Sequence, residues 1–277
     1  MTLVNLATVL AEARDAGRGL AAFNVIQIEH AEAYAEAAEE TGLPVVMQIS
    51  ENCVHYHGAL APIAAATLAI ARSCAQPVVV HLDHAEDPRL VEEAVRLGLT
   101  SVMYDGSRLP DDANRAETRR VVELCRAHGV SVEAELGEVG GKDGVHAPGV
   151  RTDPGDAERF VDETGVDALA VAVGSSHAMT DRTARLDTDL IAALRNSVPV
   201  PLVLHGSSGV PDEGLVAAVR AGMTKVNIAT HLNQVFTRAM LDRLDESPTV
   251  DTRKYLGAAR GAVADEAARL LRLLALH

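Results

Sequence analysis

Short, β-branched apolar runs alternate along the chain with longer stretches in which apolar residues recur at helical spacing among Ala, Glu and Arg. Strands of a parallel sheet are covered on both faces, so they read as continuous hydrophobic runs rather than as alternating ones. Eight such strands are predicted: Leu20–Val25, Pro44–Ile49, Pro77–Leu82, Ser101–Tyr104, Ser131–Ala134, Ala168–Val173, Pro201–Leu204 and Thr224–Ile228. The main helices between them are predicted to begin near Ile28, Ala59, Pro88, Asp112, Pro154, Thr188 and Pro211. A final pair covers His231–Asp245 and Arg253–Ala275. Several of these helices open on an acid, Pro or Thr, and many close on a glycine just before the next strand, at Gly42, Gly98, Gly129, Gly165 and Gly222. No linker or low-complexity segment interrupts the alternation. The expected fold is therefore α/β, a single (β/α)8 TIM barrel with extra C-terminal helices spanning residues 1–277, with its site on the loops that follow the strands. A doubly wound sheet is the alternative, but it would show fewer strands and one Gly-rich nucleotide turn.

Polar residues gather where that fold would use them, at the C-terminal ends of the strands. The ends carry Asn24; Gln48, Ser50, Glu51 and Asn52; His81, Asp83 and His84; Asp105; Glu133, Glu135 and Glu138; Gly174, Ser175, Ser176 and His177; His205 to Gly209; and Asn227 to Thr230. Each such group costs free energy to bury unless it is paired or solvated, so their concentration points to a site. His84, His177 and His205 follow the third, sixth and seventh strands. Any one of them alone is an ordinary histidine, but three at one barrel mouth form a ligand set for a catalytic zinc with an open fourth position. Asp83, one residue before His84, could support the metal or act as a general acid or base; His81, two residues earlier, could orient it. The short loops Gly206–Gly209 and Asn227–Thr230 each lead into a helix, the usual phosphate position of this fold. The Gly-rich stretch Gly137–Val145 after the fifth strand is expected to be a lid carrying a catalytic group.

Composition narrows the partners. Of 277 residues, 48% are hydrophobic but only 3% aromatic, with no Trp, so the core must be built from Ala, Val, Leu and Ile. A net charge of −14 argues against nucleic acid or an anionic membrane as the partner. It leaves room for a phosphorylated small molecule, which local N–H groups can hold. Cys53, Cys74 and Cys125 form no CxxC pair or disulfide framework. The N-terminus lacks a basic leader and no apolar run reaches membrane-spanning length, so a soluble, cytoplasmic protein is expected.

On these residues the chain resembles the class II fructose-bisphosphate and tagatose-bisphosphate aldolases almost end to end. The resembling motifs are AFNV at Ala22–Val25, QIS at Gln48–Ser50, HLDH at His81–His84, EAELGEVGG at Glu133–Gly141, GSSH at Gly174–His177, LHGSSG at Leu204–Gly209, KVNIAT at Lys225–Thr230 and DTRKYLGAAR at Asp251–Arg260. The resemblance implies Zn2+ on His84, His177 and His205, and Asp83 as the acid/base acting on the substrate C4 hydroxyl. It implies further that Asp105 and Glu135 can hold a second divalent ion. Asn24, Ser50, Gly174, Gly206, Ser207, Ser208, Asn227, Ala229 and Thr230 would contact the substrate, and a monovalent cation (Na+ or K+) would sit near Gly206. Arg253 matches an arginine that grips the distal phosphate, in some members from a neighbouring subunit; it and the long C-terminal helical segment favour a homodimer or homotetramer.

Two departures stand out. Relatives carry GG followed by a Glu-containing run in the lid, whereas this chain reads GGKDG, one residue shorter, so proton transfer falls to Asp143 or Glu138. Ala178 replaces a common Gly after His177. Three other readings compete. A Schiff-base aldolase would need Lys225. A metallohydrolase usually wants an HxH pair on the first strand, where this chain has Asn24. A non-catalytic sugar-phosphate binder would bind ligand without turnover.

Overall fold

The computed structural model describes residues 2–136, 151–175 and 181–277. Eight parallel strands form a closed barrel in chain order: β1 (Leu20–Asn24), β2 (Val45–Ser50), β3 (Val78–Ala85), β4 (Ser101–Tyr104), β5 (Ser131–Glu135), β6 (Ala168–Ala170), β7 (Leu202–Leu204) and β8 (Met223–Ile228). Closure is made by β8 pairing with β1, with Leu20 opposite Lys225 and Ala22 opposite Asn227. The helices are α1 (Leu6–Asp15), α2 (Ile28–Thr41), α3 (Glu51–His57), α4 (Ala61–Ser73), α5 (Pro88–Leu97), α6 (Asp111–Arg126), α7 (Pro154–Thr164), α8 (Thr188–Ser197), α9 (Asp212–Ala221), α10 (Thr230–Glu246) and α11 (Thr252–Leu274). This is a TIM barrel whose last strand is followed by two helices, one more than the repeat requires. Among the described residues no single helix is long and apolar enough to cross a membrane.

Two apolar cores follow from the two faces of the strands. Outward residues such as Phe23, Met47, Ile49, Val80 and Leu82 pack beneath the helices. Inward residues Leu20, Ala22, Val46, Val79, Ala168, Ala170 and Val203 pack with Leu6, Val9, Leu10 and Ala13 of α1, which plugs the N-terminal mouth. Counting up the inward face by twos, the side chains turn polar: Ala22 gives way to Asn24, Val46 to Gln48, and Val79 to His81 and then Asp83. The barrel is therefore oily at its closed end and polar at its open one.

The main departures from the sequence reading have local causes. Neither α1 nor α3 was expected; both start from side-chain caps, with Asn5 accepting from the Ala7 N–H and Ser50 from the Cys53 N–H. β6 is three residues long rather than running to Val173, because Ala172 exchanges bonds with the incoming Thr152. β3 runs three residues further than expected, to Ala85, and that extension carries the chemistry.

Candidate active site

Consecutive strand residues face opposite ways, yet Asp83 and His84 line the same cleft. The reason lies in the backbone: the register between β3 and β4 slips between Leu82 and Ala85, and His84 takes φ 51, a left-handed conformation uncommon outside glycine. The irregularity brings His84 alongside its neighbour, and Asp105 at the end of β4 fixes the ring through a 2.8 Å contact with Nδ1. Burial alone would push the His84 pKa down, but Asp83, the bond to Asp105 and Glu135 together push it well up. The same His84 contact holds Asp105 far below the usual carboxylate range despite burial.

His205, just after β7, meets His84 edge-on at 4.6 Å between ring centroids. Its Nε2 lies 2.9 Å from Glu133 Oε1, and its Nδ1 lies 3.6 Å from Glu135 Oε2. Lys225 of β8 donates to the other oxygen of Glu133 at 2.7 Å, and both partners are fully buried. His81 does not contact Asp83 as the sequence suggested; its Nδ1 is 2.8 Å from Ser101 Oγ, and its Nε2 faces Glu133 at 3.9 Å. Burial pushes the Asp83 carboxyl up, opposed by His84 and Lys225. Each of its oxygens receives an amide: Gln48 Nε2 on Oδ2 and Asn227 Nδ2 on Oδ1, both at 3.3 Å. Gln48 is in turn held by Asn24 Oδ1 at 2.7 Å.

Asp83, His84 and His205 offer ligand atoms within 4.8 Å of one another, as do His84, Asp105 and Glu135. Two imidazoles with carboxylates form a donor set that fits a divalent transition metal. The open cleft beside them spans about 560 Å³ and is lined by Asn24, Gln48, Ser50, Asn52, Gly206, Ser207, Ser208, Asn227, Ala229 and Thr230 as well as Asp83 and His84. Ser207 Oγ donates to the Asn227 carbonyl and Ser208 Oγ accepts from the His231 N–H at 3.4 Å, so the loops after β7 and β8 brace each other. Behind them Arg269 of α11 bonds Asp212 and Glu266, and Glu266 bonds His231 at 2.6 Å, tying the starts of α9 and α10 to the last helix. A larger cleft of about 700 Å³ runs beside the α1 plug at the other end, but its lining from Val9 to Ala275 holds no cluster of metal ligands among the described residues. Chemistry rather than size selects the first.

Of the residues expected from sequence, the cleft gathers Asn24, Ser50, Asp83, His84, Gly206, Ser207, Ser208, Asn227, Ala229 and Thr230; His205, Asp105 and Glu135 stand around the metal-ligating clusters. Gly174, at φ 117, packs so closely that a Cβ would come within 2.5 Å of the Arg185 carbonyl. Arg253 does not line the cleft; it is exposed and paired with Asp251 at 2.9 Å. Glu138, Asp143 and His177 lie outside the described residues. The sequence marks Gln48, Asn52 and Glu133 only as polar strand-end residues and Lys225 only as a Schiff-base candidate, with no role in this site assigned to them. The available signal was spacing: Glu133 and Glu135, like Lys225 and Asn227, sit two apart in apolar strands and therefore share the inward face.

Comparison with known proteins agrees with this architecture. Residues 4–276 match the family model described as fructose-bisphosphate aldolase class-II, and the chain belongs to that family: it is an aldolase, a lyase of C–C bonds, from a group that is generally metal-dependent and acts on phosphorylated sugars. It is 37% identical over 268 residues to a "Probable fructose-bisphosphate aldolase" of Bacillus subtilis, covering 95% of this chain and 94% of the relative. A fructose-bisphosphate aldolase of Staphylococcus aureus is 36% identical over the same shares. Among solved structures, the YdjI aldolase of Escherichia coli K12 superposes with a TM-score of 0.88 at 28% identity, covering 98% of this chain and 97% of that one.

Proposed function

We propose that this aldolase is zinc-dependent and reversibly cleaves a ketose 1,6-bisphosphate, fructose 1,6-bisphosphate foremost, into dihydroxyacetone phosphate and an aldehyde such as glyceraldehyde 3-phosphate. The observation that carries the reading is the meeting of Asp83, His84 and His205 beside a cleft whose far wall is the pair of small-residue loops after β7 and β8. The relatives named as fructose-bisphosphate aldolases support the substrate. His84 and His205 would hold the ion, with His177 as the third ligand that the resemblance implies. When bound, the ion supplies Lewis-acid stabilisation of the negative charge that develops as the C3–C4 bond breaks.

The chain's own residues do the rest. Asp83, desolvated and held by two amides, removes the C4 hydroxyl proton; burial raises its proton affinity toward what a base needs. The backbone N–H groups at the start of α10, with Gly206 and Ser208, receive the phosphate of the dihydroxyacetone end. Asp143 or Glu138 returns a proton to that fragment. Asp105 and Glu135 are the candidate holders of a second divalent ion, and the Gly206 loop of a monovalent one. Arg253, exposed in one chain, would reach a distal phosphate only across a homo-oligomer. Lys225, which a Schiff-base route would need, is committed to Glu133 rather than to the cleft.

The test is a coupled assay of fructose 1,6-bisphosphate cleavage with EDTA and zinc add-back, run beside borohydride trapping and on Asp83→Ala. The expected result is EDTA-sensitive cleavage restored by zinc, no trapping, and loss of turnover with zinc retained in Asp83→Ala. Trapping at Lys225 would overturn the reading. Zinc binding without cleavage would move the substrate to tagatose 1,6-bisphosphate or another ketose phosphate, or make the protein a sugar-phosphate binder.

A further inference from the structure

We propose that the buried Lys225–Glu133 pair is a positioning device for His205, deciding which ring nitrogen faces the metal; the proposal rests on the metal-site reading above. Neither member of the pair reaches solvent. A buried ion pair repays its desolvation poorly, and an apolar pair of similar volume in its place is often as stable or more so. Their inward-facing register partners are apolar, Ala168 opposite Glu133 and Val203 opposite Lys225, so packing alone does not call for charge here. What the pair does have is a division of labour. Glu133 gives Oε2 to Lys225 at 2.7 Å and Oε1 to His205 Nε2 at 2.9 Å.

A carboxylate can only accept, so the contact with Oε1 requires the hydrogen of His205 to sit on Nε2. In the neutral ring Nδ1 is then the lone-pair nitrogen, and it is the one on the side of Glu135, itself a member of a candidate metal cluster. Lys225 holds Glu133 in the rotamer that makes this choice. His81 stands too far from Glu133, at 3.9 Å, to share the task. Ser175 Oγ donates to the His205 carbonyl at 2.6 Å, so backbone and ring are both fixed. Partners of this kind set the tautomer and aim of metal-binding histidines, and their loss typically costs about 10- to 100-fold in metal affinity.

The experiment measures Zn2+ and Co2+ affinity by chelator competition, together with the absorption spectrum of the Co2+-loaded protein. It uses the wild type, Glu133→Gln, Lys225→Met and the double variant Glu133→Gln/Lys225→Met, each checked for fold by circular dichroism. The double variant buries no unpaired charge, so it keeps the test alive if either single one fails to fold. All folded variants are expected to bind both ions about 10- to 100-fold more weakly and to show shifted Co2+ bands. A pair that merely supported the fold would leave a folded double variant with wild-type affinity and spectrum, and that result would overturn the proposal. A wild type that binds neither ion would remove the metal-site reading and this proposal with it, an outcome distinct from equal binding by wild type and variant.

Discussion

His30 lies on the inner face of α2, with Phe236 and Tyr34 at ring-centroid distances of 5.0 and 6.1 Å. Neither of its ring nitrogens has a hydrogen-bond partner among the described residues. Burial lowers its pKa from 6.5 to about 4, so the folded protein keeps it neutral. The unfolded chain takes up that proton below about pH 6.5. Its stabilisation is therefore complete above that pH and is lost as the pH falls toward 4, by roughly 3 kcal/mol. His30→Phe should flatten the stability curve between pH 6.5 and 4 in urea titrations; parallel curves for the two proteins would contradict a buried neutral ring. At this scale the sequence was partly legible. Asp83 and His84 are adjacent in a short motif, so their partnership could be read without the fold. Glu133 and Lys225 could not be paired in advance, because they meet only when β5 and β8 face each other across a closed barrel. His30 gave no signal, since a histidine on a helix reads the same whether it faces solvent or an aromatic pocket.

Among the elements, the strands were legible because a doubly covered strand must be apolar throughout, and the helix stops were legible as glycines. Gly42, Gly98, Gly129, Gly165 and Gly222 all take positive φ. The helices that escaped notice, α1 and α3, are additions to the strand–helix alternation. α1 has a clear cap in Asn5, but its purpose as a plug appears only once the barrel has a mouth to close. Leu10 sits at the centre of that plug, fully buried among inward strand residues. Leu10→Ala should cost about 2–5 kcal/mol through lost burial and the cavity left behind, measurable as a lower urea midpoint. Because α1 lies at the mouth opposite the cleft, kcat at a permissive temperature should stay within about twofold of wild type, well short of the tenfold that 1.4 kcal/mol in the barrier would bring. A large fall in kcat with the fold intact would mean that the two ends of the barrel are coupled.

For the whole molecule, metal and fold should be linked. An ion that binds only the folded chain adds about 2.7 kcal/mol when its concentration is a hundred times Kd. In a protein of this size that raises Tm by roughly 5 °C. Scanning calorimetry in EDTA and after zinc add-back should show this difference, and identical transitions would mean that the ion contributes nothing to the native state. Closure of the barrel has a different consequence. Asn24 belongs to the first strand and Asn227 to the last, and both line the cleft at the seam where β1 and β8 join. During synthesis the first half of the site leaves the ribosome long before its complement exists, and no partial chain can hold the two together. Catalytic competence is thus a late event in the life of each molecule, and an active-site ligand added to a stalled nascent chain would report whether the final strand has docked.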